Sequence, residues 1–125
     1  MKTSCFSIYS GPGRVAISSS VPNYLRGGVK LFRELIPTSH IERTDLDEYR
    51  EKYFRQLSRL DPSETWQTLH ELVRGHEPIL LCYEEPPFDE RNFCHRRMVA
   101  EWFEKKLGVT VLEWGAPKKP RPGYR

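Results

Sequence analysis

One short run, Pro78-Ile79-Leu80-Leu81-Cys82-Tyr83, limits what this chain can fold into more than any other feature. A continuous apolar stretch of that length, closed off by Pro86 and Pro87, reads as a strand buried on both faces, and such strands belong to parallel sheets. An amphipathic helix follows over residues 94–107, with Met98, Val99, Trp102, Phe103 and Leu107 as its apolar stripe and Gly108 as its stop. Val109-Thr110-Val111-Leu112-Glu113-Trp114 then reads as a second strand. Strand, helix, strand is a βαβ unit, and its crossover is right-handed by general rule.

The segments upstream supply the remaining elements. Ser4-Cys5-Phe6-Ser7-Ile8-Tyr9 alternates polar and apolar and predicts an opening strand, which Gly11-Pro12-Gly13 breaks. Arg14-Val15-Ala16-Ile17-Ser18 is the next strand, and Ser18, Ser19 and Ser20 lead from its carboxyl end into the loop Pro22-Asn23-Tyr24. Residues 25–40, punctuated by Gly27-Gly28 and Pro37, predict a loop with at most one short helical turn. Thr44 or Asp45 can cap a helix with Leu46, Tyr49, Tyr53, Leu57 and Leu60 at helical spacing. Asp61-Pro62-Ser63-Glu64 starts another, with Trp66, Leu69, Leu72 and Val73 on its apolar face and Gly75 at its end. Helices thus precede the βαβ unit as well. The expected architecture is a single three-layer α/β domain with a mostly parallel sheet, over residues 1–116, and a basic, Pro-rich tail over 117–125.

Length and charge bound the function. A chain of 125 residues is one domain by size. No apolar run approaches the ~20 residues of a membrane helix, and no basic segment leads into an apolar stretch at the N-terminus as a secretory signal would. A cytoplasmic protein with no membrane partner is expected. The net charge is +3, but Lys118, Lys119, Arg121 and Arg125 of the tail account for all of it and leave the remainder at −1. Only the tail resembles a nucleic-acid-binding arm, and four cations are few for that role. Three cysteines, Cys5, Cys82 and Cys94, are an odd count with no close-spaced pair. That speaks against a disulfide framework and for a reducing compartment. A Cys82–Cys94 bridge would need Cα atoms within about 7 Å, and one sequence does not say whether the two cysteines touch.

The candidate site lies where the buried strand hands over to the last helix. Polar groups at the carboxyl end of a strand, facing a helix N-terminus, are where open α/β folds place their ligands. Cys94 sits at that N-terminus, followed by His95, Arg96 and Arg97, a setting that favours thiolate and so a nucleophile; the competing reading is a small buried thiol. Strand alternation puts Leu80, Cys82 and Glu84 on one side. His95 and Glu84 are the candidates to move a proton. Arg96 has the fork geometry to hold an anion, against an ion pair with Glu84 or Glu101. Ser18 and Tyr24 could reach the same cleft, Tyr24 by stacking on a ring. Cys82, Cys94 and His95 are also the candidates for zinc, with His40, His70, His76 or Glu84 as a fourth ligand, but adjacent Cys94 and His95 seldom both face one metal. No metal and no tight cofactor are assigned. Cys82 ends a strand, as the nucleophile of a phosphatase loop does, but the arginine that loop needs six residues on is Phe88 here.

Leu80-Leu81-Cys82-Tyr83-Glu84, then Phe93-Cys94-His95-Arg96, then Val99-Ala100-Glu101-Trp102 resemble the signature of a bacterial and phage family, domain of unknown function 488. The strand at Val15-Ala16-Ile17-Ser18, the Pro22-Asn23-Tyr24 loop and the helix with Tyr49 and Tyr53 are compatible with it, and residues 85–92 lengthen the spacing between the cysteines. The resemblance implies a compact α/β fold and no established activity. The residues themselves point to a small enzyme or sensor that takes an anionic, nucleotide-like molecule. Arg96, Cys82, Tyr24 and Ser18 would bind it, and Cys94, His95 and Glu84 would do the chemistry. The alternatives are a nucleic-acid-binding accessory domain that uses residues 117–125, and a protein-interaction factor whose Cys-His-Arg cluster is structural.

Overall fold

The computed structural model describes residues 1–38, 41 and 45–115. The tail at 117–125, the capping candidate Thr44 and the ligand candidate His40 lie outside them. Five strands, β1 (Lys2–Cys5), β2 (Arg14–Ala16), β3 (Lys30–Leu31), β4 (Ile79–Cys82) and β5 (Leu112–Glu113), pair in the order β3-β2-β4-β1-β5, every pairing parallel. The helices are α1 (Leu46–Leu57), α2 (Pro62–Leu72) and α3 (His95–Leu107). This is a single α/β domain. β4, the most apolar strand, runs down the middle, with all four residues buried.

Local chemistry starts and stops the helices. Asp45 and Asp61 cap α1 and α2, accepting bonds from the Glu48 and Glu64 amides at 2.9 and 3.0 Å, and Pro62 opens α2 where its missing N–H costs nothing. Gly108 ends α3 at φ +68°, a left-handed conformation that disfavours a side chain.

Strand register sorts the two faces. Val15 pairs with Leu80, and both, with Ile17, enter the larger core against Tyr49, Tyr53 and Leu57 of α1, Leu69 of α2, and Met98, Val99, Trp102 and Phe103 of α3. All three helices therefore cover one face. Ala16, Ile79 and Leu81 point the other way, under Phe6, Leu25, Val21 and Val29. That second layer is thin, built of loops and the 3-10 turn Asn23–Leu25.

The largest departures from the sequence expectation fall in three segments. The opening strand covers Lys2–Cys5 and not 4–9, because the Ile8 and Tyr9 amides both donate to the Cys5 carbonyl and curl the chain into a turn. Between 25 and 40 the chain makes more than a loop, with the two-residue β3 and a second 3-10 turn, Arg33–Leu35. β5 keeps only Leu112–Glu113 of the expected 109–114.

Candidate functional site

β4 ends at Cys82, the chain crosses over residues 83–94, and α3 begins at His95 with Cys94 as its N-cap residue. The helix therefore starts beside the carboxyl ends of the strands. Cys82 and Cys94 are joined there by a disulfide, with Cα atoms 7.5 Å apart, just beyond the roughly 7 Å expected of a bridge. This corrects the expectation from the odd cysteine count: two of the three are paired, and the remainder, Cys5, is the free one. Spacing along the chain hid the pair, because the crossover folds back over twelve positions. Both sulfurs are buried, and Phe88 of the crossover packs onto them as a cover.

Arg96 is fully buried and fully engaged. Nη2 and Nε donate to the Glu113 carboxylate at 2.7 to 3.3 Å, Nη1 donates to Cys82 Sγ at 3.2 Å, and the guanidinium lies 4.8 Å over the Phe88 ring. The anion that Arg96 holds is thus the protein's own Glu113, and neither Glu84 nor Glu101 is its partner. Glu101 pairs with Arg50 of α1 at 2.8 Å. Burial pushes the Glu101 carboxyl up, but the Arg50 and Lys105 cations outweigh it and hold the group below the usual range.

His95 is buried with its Nε2 2.5 Å from the Ile17 carbonyl. A carbonyl only accepts, so Nε2 carries the hydrogen, and in the neutral ring Nδ1 presents a lone pair. That Nδ1 lies 3.9 Å from Cys94 Sγ. The Tyr53 ring meets the imidazole edge-on at 5.4 Å, and burial, then the neighbouring Tyr49, hold the Tyr53 hydroxyl well above its ordinary range. Tyr53 therefore stays neutral and does not compete for protons.

The other candidates sit at the margin. Ser18, half-buried, follows the carbonyl that orients His95, and its hydroxyl donates to the Ser20 carbonyl at 2.7 Å. Glu84 is half-buried in the crossover. Tyr24 is 71% exposed, on the loop layer over the opposite face, and its hydroxyl donates to the Phe6 carbonyl at 3.2 Å. The structure thus gathers Cys82, Cys94, His95 and Arg96 into one buried cluster and leaves Tyr24 on the other side of the sheet. Of the fourth-ligand candidates, His70 binds the Trp66 carbonyl on α2 and His76 lies at the opposite edge of the sheet.

Sequence reasoning passed over three members of this neighbourhood. Glu113 was the readable one, since a carboxylate between Leu112 and Trp114 in a strand demands a cation. The Ile17 carbonyl carries no sequence signal. Cys5, buried, pairs in register with Cys82 across β1 and β4, and only the sheet order reveals that.

The ligand atoms of Cys82, Cys94 and His95 lie within 4.8 Å of one another. While the sulfurs are bonded to each other they cannot act as two thiolate ligands, so a zinc set would exist only in the reduced protein. No helix among the described residues is long and apolar enough to cross a membrane.

Fold and cluster together define a small α/β protein with an all-parallel sheet and a disulfide that joins the end of β4 to the N-terminus of α3. The chain belongs to the family described as domain of unknown function DUF488, whose model matches residues 28–103. That span holds Cys82, Glu84, Cys94, His95 and Arg96, while Cys5, Ser18, Tyr24 and Glu113 fall outside it. No curated protein and no solved structure matches the chain.

Proposed function

We propose that the protein is a thiol-redox sensor or small redox enzyme that cycles Cys82 and Cys94 between disulfide and dithiol. The observation that carries this reading is the placement of a polar partner on each sulfur: Arg96 Nη1 on Cys82 and His95 Nδ1 beside Cys94. Neither is needed to keep an inert structural bridge. In the dithiol, His95 Nδ1 takes the Cys94 proton, and the resulting thiolate attacks a partner disulfide to form a mixed disulfide and expel the partner's first thiolate. Cys82, held as thiolate by Arg96, then attacks Cys94 Sγ. The internal bridge re-forms and the partner leaves as a dithiol, two electrons having passed to it. Reduction by an external dithiol runs the same steps backwards. Both sulfurs are buried, so residues 83–92 must lift Phe88 away before exchange. The cytoplasmic setting expected from the sequence suits a bond that forms transiently.

An anionic small molecule bound by Arg96 is disfavoured, because such a ligand would have to displace Glu113. The test is a redox titration of the native protein in dithiothreitol buffers, with alkylation and mass measurement of Cys82 and Cys94. Reversible two-electron behaviour, abolished by Cys94→Ser, supports the proposal. A bridge that yields only on unfolding sinks it in favour of a structural disulfide. Stoichiometric zinc uptake by the reduced chain, lost in His95→Ala, replaces it with a metal site.

A further inference from the structure

The opposite edge of the sheet carries a second feature. At the amino ends of β2 and β3, next to the end of α2, lies an open cleft of about 500 Å³. Its basic side chains are Arg14, Lys30, Arg74 and His76, and among the described residues none of these four side chains has a hydrogen-bond, ion-pair or ring partner. Some cations elsewhere find carboxylates, as Lys2, Arg50, Lys52, Arg55 and Lys105 do, while Arg26, Arg33, Arg59, Arg91 and Lys106 are exposed without a side-chain partner among the described residues. What sets Arg14, Lys30 and Arg74 apart is that all three line one concavity.

The backbone keeps them there. Gly13 adopts φ +80°, and a Cβ on it would stand 2.0 Å from the Glu77 carbonyl, so only glycine lets this turn lie against the chain entering β4. The Gly13 carbonyl accepts from the Ile79 amide at 2.8 Å, which fixes where Arg14 starts β2. Arg74 itself holds φ +47°, an uncommon conformation for a non-glycine residue, at the point where the chain leaves α2. Two negative contributions lie nearby. The carboxyl end of α2 supplies about half a charge, and Glu77 is already shared between Lys2 and the N-terminal ammonium. Neither cancels three cations.

We infer that this cleft binds a phosphorylated small molecule carrying at least two negative charges. Two arginine forks match phosphate oxygens in pairs, the volume is that of ordinary small-ligand sites, and Val73 gives the ligand body an apolar contact. The site is independent of the thiol pair. It lies at the end of the sheet opposite to Arg96, the residue the sequence pointed to for an anion.

The experiment is calorimetric titration of the full chain with inorganic pyrophosphate and with ADP at low ionic strength. Saturable binding near one to one is expected, weakened at least tenfold in Arg14→Gln/Arg74→Asn and unchanged in Cys94→Ser. Asn is chosen at 74 because it tolerates positive φ, and Lys30→Glu, at an exposed position, gives the same loss without touching either strained turn. Absence of saturable pyrophosphate and ADP binding overturns the inference. So does binding that survives both the double variant and Lys30→Glu, which moves the anion to residues 117–125. Displacement of pyrophosphate by single-stranded RNA, with affinity rising with strand length, overturns it in favour of a nucleic-acid backbone.

Discussion

Replacing Arg96 by Met removes a buried cation and strands its partner. Glu113 has a side chain only 7% exposed, and it accepts three contacts from Arg96 and one from Thr3 at 2.6 Å. A buried carboxylate deprived of its guanidinium costs about 3–5 kcal/mol, because desolvation stays while attraction goes. For a chain of 125 residues, unfolding entropy of about 2.1 cal/mol/K per residue makes each kcal/mol worth about 4 °C. Arg96→Met should therefore melt roughly 11–19 °C below the parent chain. Glu113→Leu alone strands the guanidinium instead and should cost a similar amount. Arg96→Met/Glu113→Leu strands neither charge and should recover most of the loss, because a buried pair is often replaceable by apolar residues. Thermal and urea unfolding of all four proteins closes the cycle. A loss below about 1 kcal/mol in Arg96→Met, or two single losses that simply add, would refute the pairing. A redox titration adds a readout that packing alone would not move: without Arg96 the Cys82 thiolate loses its cation, so the disulfide becomes harder to reduce.

Three further outcomes follow from the same geometry. Reducing the Cys82–Cys94 bridge frees a loop of twelve positions, which the chain-entropy relation values at about 3 kcal/mol, so the reduced protein should melt about 10 °C lower; equal melting temperatures would show that the bridge does not constrain the unfolded chain. Phe88→Ala removes the cover, whose burial is worth about 1.5–3 kcal/mol, so dithiothreitol should reduce the bridge roughly 10- to 150-fold faster under native conditions; an unchanged rate would mean that the sulfurs are reached by another path. Glu77 lies below its ordinary range because it accepts hydrogen bonds from Lys2 and the N-terminal ammonium, and Glu101 because cations outweigh its burial. A depressed carboxylate adds stability above its unfolded value, about 4.3, and loses it as pH falls through the lower folded value, so Glu77→Gln/Glu101→Gln should show a smaller stability loss between pH 5 and 3; identical acid profiles would contradict the shifts.

What the sequence disclosed was local, and what it withheld was not. Asp61, Pro62 and Gly108 act on backbone groups a few residues away, so their roles were readable without the fold. The apolar run at β4 announced a strand with neighbours on both sides, but not which ones. β4 lies between β2 and β1, strands far upstream, and that order puts Cys5 beside Cys82 and the Ile17 carbonyl beside His95. The ion pair is hidden for a related reason. Glu84 and Glu101 are the carboxylates near Arg96 along the chain, while its partner Glu113 comes from β5 across the edge of the sheet. The cysteine count suggested thiols because pairing was weighed along the chain, and the crossover at 83–94 shortens that distance in space. The basic cleft escaped notice because Arg14, Lys30, Arg74 and His76 come from three separate segments, each unremarkable alone.

The two ends of the sheet differ in a way that limits what each can do. At the carboxyl end Arg96, Glu113 and His95 all find partners inside the protein, and Phe88 keeps water from the sulfurs. A site so closed has no vacancy for an exchangeable ligand, and the change open to it is a change in its own bonds, which a thiol pair supplies. At the amino end Arg14, Lys30 and Arg74 have no such side-chain partner among the described residues and line an open cleft, so an exchangeable anion is what that cleft can hold. β2 touches both, with Arg14 at one end and the Ile17 carbonyl just past the other. Three residues of strand separate them by roughly 10 Å. At that distance substitutions with no shared partner add independently. Losses at Arg14 and at Cys94 should therefore combine without coupling, and coupling would mean that β2 moves as a unit between two positions.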